Sequence, residues 1–265
     1  MRILLPPSEG KATGGDGPPL DLGALTLPEL GDARETVLEA LERLCSGPVE
    51  TARDILRLPA TQGEAVQRDR EVRAAPTLRA ADRYTGVLYD HLDLPGLLAG
   101  DSAEAARRSV LIFSGLWGVV GVEDPLPPYR LAMDVRLPPL GPLGAFWRER
   151  LTDPLTKSTE GHLVVDCRSA AYAAAFKPVG DTREMTVTVR VLRETISGGA
   201  TKRTVVSHMA KATRGAIARS LLANRVDPAT PAELAEALND LGHPAEPRAP
   251  ARRGQPQSVD VVVRD

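Results

Sequence analysis

SGLWGVVGVEDPLPPYRLAMDVRL, residues 114 to 137, follows the apolar run Val110-Leu111-Ile112-Phe113. Its density of Gly, Pro and aromatic residues is too high for a generic connector. Gly115, Gly118 and Gly121 permit backbone angles closed to other residues, while Trp117 and Tyr129 demand burial. A short strand ending in Ser114-Gly115 and feeding such a segment reads as a buried strand that delivers a shaped loop. Arg130 beside Tyr129 either clamps a carboxylate or phosphate, or pairs with Asp124 or Asp134.

The same form recurs on both sides. Arg2 to Leu5 reads as a buried strand running into PPSEGKATGG, residues 6 to 15, and Leu163-Val164-Val165-Asp166 runs into an alanine-rich helix starting near Ser169. MTVTVRVLR, residues 185 to 193, alternates with period 2, and a strand over 203–208 leads into a helix over about 209–224. Between the first two strands, residues 32–90 have helical periodicity, with Val37, Leu38, Leu41 and Leu44 on one stripe. Further helices are expected at 49–58, 61–73 and 78–90, separated by Pro48, Pro59 and Pro76. Residues 244–257 read as a flexible link to a terminal strand, 259–263. These elements predict a mixed α/β (α+β) fold: one compact domain over residues 1–265, with a mixed sheet and an N-terminal helical lobe at about 32–90.

A chain of 265 residues, 42% hydrophobic and 26% charged, can bury a sizeable core. No run approaches the length of a membrane span and prolines arrive at position 6, so no membrane association and a cytoplasmic location are expected. Cys45 and Cys167 are isolated, and His91, His162, His208 and His243 are scattered, so the residues outline no metal site and name no cofactor. A net charge of −2 leaves nucleic-acid binding to a local patch. All nine aromatic residues fall between Tyr84 and Phe176, which places the main core and any ring-lined pocket there. Only Lys11, Lys157, Lys177, Lys202 and Lys211 are lysines among 33 basic residues, and an amine is not interchangeable with a guanidinium at an anion site.

PPSEGKATGG is not a GxxxxGK[ST] phosphate loop, because Leu5 and Ala12 occupy two of its defining positions. Ser8 and Lys11 match S-x-x-K, but Pro6, Pro7 and Gly10 oppose the helix that this device needs. What remains is a serine and a lysine on a loop at a strand end, the usual ligand position in α/β sheets, or a plain turn. In SHMAKATRGAIARSLLANR, residues 207 to 225, helical winding puts Lys211, Arg214, Gly215, Ala218 and Arg225 on one face. That face is either an anion-binding surface or a solvated basic one.

The strand followed by PSEGK, RYTGVLY (83–89), FSGLWGVVGVEDPLPPYRLAMDVRL (113–137), FW (146–147), VVDCRSAAYAAAFKP (164–178) and AKATRGAIAR (210–219) together resemble the YaaA family. Its best-known members are peroxide stress proteins, and the resemblance covers residues 1 to about 226. It implies a single mixed α/β fold, a positively charged cleft, a cytoplasmic role in limiting oxidative damage, and DNA binding through a helix-hairpin-helix. On this chain it maps cleft residues to Ser8, Lys11, Tyr84, Gly86, Ser114, Gly115, Tyr129, Arg130, Ser169, Tyr172, Lys211, Arg214 and Gly215. Residues 49–72 lack the apolar-Gly-apolar hairpin and carry Glu50, Asp54, Glu64, Asp69 and Glu71, which oppose a phosphate backbone. Asp166 stands where relatives place asparagine and could form an acid-base pair if it lies near Lys11 or Lys211. Two functions follow: a stress protein binding nucleic acid in a basic cleft, or an enzyme acting on a small anionic substrate such as a nucleotide or carboxylate. In the second, Lys11 and Arg130 hold anionic groups, Ser8 or Asp166 lies near the reacting atom, and Trp117 or Tyr129 stacks on a ring.

Overall fold

Ile3, Leu4 and Leu5 are wholly buried because strand β1 (Arg2–Leu5) lies in the middle of an eight-stranded sheet, where neither face meets solvent. The computed structural model describes residues 1–197, 200–205, 208–250, 252 and 254–264. In chain order the sheet continues with β2 (Val110–Ser114), β3 (Gly118–Val120), β4 (Val164–Asp166), β5 (Thr186–Ser197), β6 (Ala200–Val205), β7 (Ala245–Arg248) and β8 (Gln257–Arg264). Their spatial order is β7-β8-β5-β4-β1-β2-β3, with β6 paired to β5. Neighbours from β8 through β2 run parallel, while β3, β6 and β7 pair antiparallel. The expected mixed α/β fold is the observed one.

Register places Leu4 opposite both Leu111 and Asp166. Because β1, β2 and β4 point the same way, the segments after Leu5, Ser114 and Asp166 all leave the same edge of the sheet. That shared edge positions the candidate site.

Helices α1 (Gly31–Cys45), α2 (Val49–Leu56) and α3 (Gly63–Arg70) follow the expected periodicity, with Val37, Leu38 and Leu41 fully buried. The helix expected over 78–90 is instead three pieces. Leu78–Arg79 pairs with Pro125–Leu126, Ala80–Arg83 makes one turn, and helix α4 (Val87–Leu92) starts afresh after Gly86 at φ +94°. A positive φ cannot continue a right-handed helix, and glycine adopts it without a Cβ penalty.

Two further expectations change. The alanine-rich helix is only Ala170–Ala173, because the buried Arg168 takes the carbonyls of Tyr172 and Phe176. Within the stretch read as a flexible link, residues 245–248 form β7, whose partners Val259 and Val261 on β8 are buried. Backbone pairing there outweighs the proline-rich composition. The strand expected over 203–208 is β6, ending at Val205, and positions 206 and 207 lie outside the described residues. Helix α5 (His208–Ala223) follows and packs on α4.

Candidate functional site at the carboxyl end of the parallel strands

The loop after β1 is held from beneath by a buried arginine. The Arg83 guanidinium donates to the carbonyls of Ala12, Gly14 (2.8 Å), Pro76 (3.3 Å) and Leu126 (3.1 and 3.0 Å). Five donors on a rigid fork let one side chain replace the backbone partners that an irregular loop lacks. Lys11 also forms a backbone bridge with Tyr84, and Ala12 N–H donates to Arg83 O at 3.0 Å. The glycine-rich stretch is therefore a docked wall. Ser8 Oγ donates to Gly10 O and accepts the Thr85 amide at 3.1 Å, so the serine holds the turn together.

On that wall, Lys11 Nζ lies 4.4 Å from the Tyr129 ring centroid and 5.4 Å from that of Tyr84. It donates to Ser8 O at 2.9 Å. No carboxylate lies within ion-pair distance of it among the described residues. Burial pushes its ammonium down to about 7, the Arg130 charge adds to that, and Asp69 and Glu9 oppose it.

The tyrosines are joined by a chain of hydroxyls. Tyr84 Oη and Tyr129 Oη are 2.8 Å apart, and Tyr129 Oη is 2.7 Å from Ser114 Oγ. Ser114 Oγ also accepts the amides of Leu116 (3.2 Å) and Trp117 (3.0 Å) from the β2–β3 turn. Burial holds both phenols well above their usual ionisation range, so they stay protonated. Trp117 packs edge-on to Tyr129, with centroids 5.7 Å apart, and does not lie open for stacking, being 0% exposed. Tyr89 stacks on Tyr84 and donates to Pro6 O at 2.8 Å.

Arg130 closes the other side. Its Nη1 donates to Glu9 O at 2.7 Å and its Nη2 lies 3.5 Å from Glu9 Oε2, so it pairs with Glu9 and not with Asp124 or Asp134. Its backbone N–H donates to Asp69 Oδ1 at 2.7 Å. Asp69 is wholly buried and its Oδ2 has no hydrogen-bond partner. Burial pushes its carboxyl up to about 7, against the Arg130 amide and the Lys11, Arg68 and Arg130 charges. Burial raises the phenol of Tyr172 to about 12, with the Met133 backbone opposing it and the Arg130 and Glu9 charges acting in opposite senses. Asp69 and Arg68 escape a reading by motif. The sequence marks Asp69 only as one of the acids over 49–72 that oppose a phosphate backbone, and does not single out Arg68.

The remaining candidates lie elsewhere or have structural tasks. Asp166 is not an acid-base partner of either lysine. Its Oδ1 accepts from Arg168 Nε (2.9 Å) and amide (3.0 Å), and its Oδ2 from Nη2 (2.7 Å). Both carboxylate oxygens are thus committed to a guanidinium resting 4.4 Å from the Phe113 centroid. Gly215 lies against α4: a Cβ there would drive into Leu88 O, so the glycine lets α5 approach α4. Gly115 likewise passes the backbone of Leu131 and Ala132, where a Cβ would sit 2.5 Å from Leu131 O. Ser169 is exposed at a four-residue helix with no side-chain cap bond. Lys211 is exposed, and Arg214 donates to Val189 O at 3.1 Å. Among the described residues, neither shares a hydrogen bond, ion pair or ring contact with the Lys11 group. Gly86 flanks the site beside Thr85.

An open cleft of about 440 Å³ lined by Tyr84, Thr85, Tyr89, His91, Asp93 and Arg219 borders the group through Tyr84 and Thr85. Among the described residues no cluster of metal-ligating side chains occurs, and no helix is long and apolar enough to cross a membrane.

A family model described as peroxide stress protein YaaA matches residues 1–248. A UPF0246 protein of Streptomyces coelicolor is 51% identical over 265 residues, covering 100% of this chain and 99% of its own. Another, of Corynebacterium efficiens, is 36% identical over 99% of this chain and 100% of its own. A UPF0246 protein of Burkholderia lata is 29% identical over 78% of this chain and 81% of its own.

Proposed function

We propose that this chain, which belongs to the peroxide stress protein YaaA family, binds and acts on a small anionic substrate at the group formed by Lys11, Arg130, Tyr84 and Tyr129. One observation carries the reading. Lys11 is partly buried on two tyrosine faces with no carboxylate within ion-pair distance among the described residues, a costly arrangement for an amine that only makes structure. Arg130 supplies positive charge that an anion would take over from the exposed Glu9 side chain, 3.5 Å away, and Lys11 near neutrality can take or give a proton at the same place. Placement in a peroxide stress family gives such an activity its physiological setting, in a cytoplasmic enzyme of the oxidative stress response.

The nucleic-acid reading draws less support from the geometry. Lys211 and Arg214 stand apart from the Lys11 group, and Glu50, Asp54, Glu64 and Glu71 are exposed on and beside α2 and α3, where they oppose a phosphate backbone. A thermal-shift screen of nucleotides, amino acids and phosphates tests the proposal. At least one compound is expected to raise the Tm of the wild type and not that of Lys11→Ala. If no compound discriminates the two while duplex or bubble DNA is retarded at low salt, the nucleic-acid reading replaces this one.

A further inference from the structure

The hydroxyl chain has more protons than acceptors. Ser114 Oγ uses both lone pairs on the amides of Leu116 and Trp117, so its own hydrogen goes to Tyr129 Oη. Tyr84 and Tyr129 then hold two phenolic hydrogens for the single contact between them. One O–H is left without a protein acceptor, although Tyr84 is 2% and Tyr129 1% exposed. Lys11, whose backbone bridges that of Tyr84 and whose amine lies over both rings, has spent one hydrogen on Ser8 O. The site therefore offers an amine over the two tyrosine rings and a spare hydroxyl donor on one of them, with the Arg130 guanidinium on the other side of the loop after β1. Asp69 adds a buried carboxyl oxygen with no partner.

We infer that the substrate is a carbonyl compound bearing an anionic group, such as a 2-oxo acid, and that Lys11 forms an imine with it. This rests on the reading of the site as one for a small anionic substrate. The neutral Lys11 nitrogen attacks the carbonyl carbon. A C–N bond forms as the C=O π pair moves to oxygen, which the spare tyrosine O–H holds. The nitrogen gives its two hydrogens to that oxygen, which leaves as water when the C=N bond forms, so nothing is oxidised or reduced. Arg130 holds the carboxylate. Burial of the amine, which brings Lys11 to about 7, keeps much of it in the nucleophilic form at neutral pH.

Reductive trapping tests this directly. Full-length protein is incubated with glyoxylate at about pH 7.5, treated with borohydride and peptide-mapped by mass spectrometry. Lys157, Lys177, Lys202 and Lys211 are all exposed and serve as internal controls, since exposure alone makes Lys11 the slowest of the five. Lys11 is expected to be trapped roughly tenfold faster than the controls. The double variant Tyr84→Phe/Tyr129→Phe, which removes both phenolic hydrogens, is expected to slow its trapping without altering the controls, and uncharged acetaldehyde is expected to trap it more slowly than glyoxylate. Labelling that follows exposure, with Lys11 last, overturns the inference. Equal trapping by acetaldehyde overturns its anionic half. A Lys11-dependent thermal shift with phosphates or nucleotides, without trapping, refutes the imine while leaving the anion site standing.

Discussion

Lys11 Nζ stands 4.4 Å from the centroid of Tyr129, the residue whose hydroxyl is the middle member of the Tyr84-Tyr129-Ser114 chain. A cation-π contact of this kind holds the amine where burial has already weakened its charge. The pair ties the loop after β1 to the segment after β3, so perturbing either residue reports on both.

Lys11 makes stability depend on pH in a definite direction. Its folded value of about 7 lies below the ordinary 10.5, so between these limits the unfolded chain binds the extra proton and stability rises with pH. Asp69 acts below that window: raised from 3.8 to about 7, it makes stability fall as pH rises across that interval. Urea denaturation of wild type and Lys11→Met should show the rise above pH 7 in the wild type alone. Its size is about 1–2 kcal/mol once solvent screening of the partly exposed amine is allowed for.

Within the hydroxyl chain the middle position matters most. Tyr129→Phe leaves both Ser114 and Tyr84 without their shared partner, whereas Tyr84→Phe removes one hydrogen bond at the end. Equilibrium unfolding should give a loss of about 2–3 kcal/mol for Tyr129→Phe and about 1 kcal/mol for Tyr84→Phe. Equal losses would mean that the hydroxyls do not act as a chain.

Gly215→Ala should destabilise the protein by about 1–3 kcal/mol, because the added Cβ meets the Leu88 carbonyl, a backbone atom that cannot rotate away. Lys211→Met, four residues earlier and exposed, should stay within about 0.5 kcal/mol of wild type. Differential scanning calorimetry of the two variants separates a packing role for this helix from a ligand-binding one.

Removing Arg168 strands a buried carboxylate. Arg168→Met should cost about 3–5 kcal/mol by leaving Asp166 uncompensated, and Asp166→Asn less, since an amide still accepts from Arg168. If Asp166→Asn instead abolished ligand binding at unchanged stability, Asp166 would belong to the site.

Runs of three or four apolar residues ending in Ser, Asp or Pro were enough to place the central strands, because a strand buried on both faces must be apolar throughout. The aromatic residues, all between 84 and 176, likewise marked a main part of the core, but nothing in their spacing brought Lys11, far earlier in the chain, to them. Pairing across the fold was not legible. Asp166 carries the same letter whether it faces a lysine or the arginine two positions on, and Gly215 looks alike beside a ligand or a neighbouring helix. Asp69 counts in the sequence among acids that oppose a phosphate backbone, yet its side chain is buried and accepts the backbone N–H of Arg130, 61 residues later. Local composition determined which segments are strands, helices and shaped loops, since periodicity and backbone preference act over a few residues. Which charges neutralise each other, which hydroxyls share a hydrogen bond and which lysine is drawn under the surface depend on contacts between distant segments, and only the packed tertiary structure decided them.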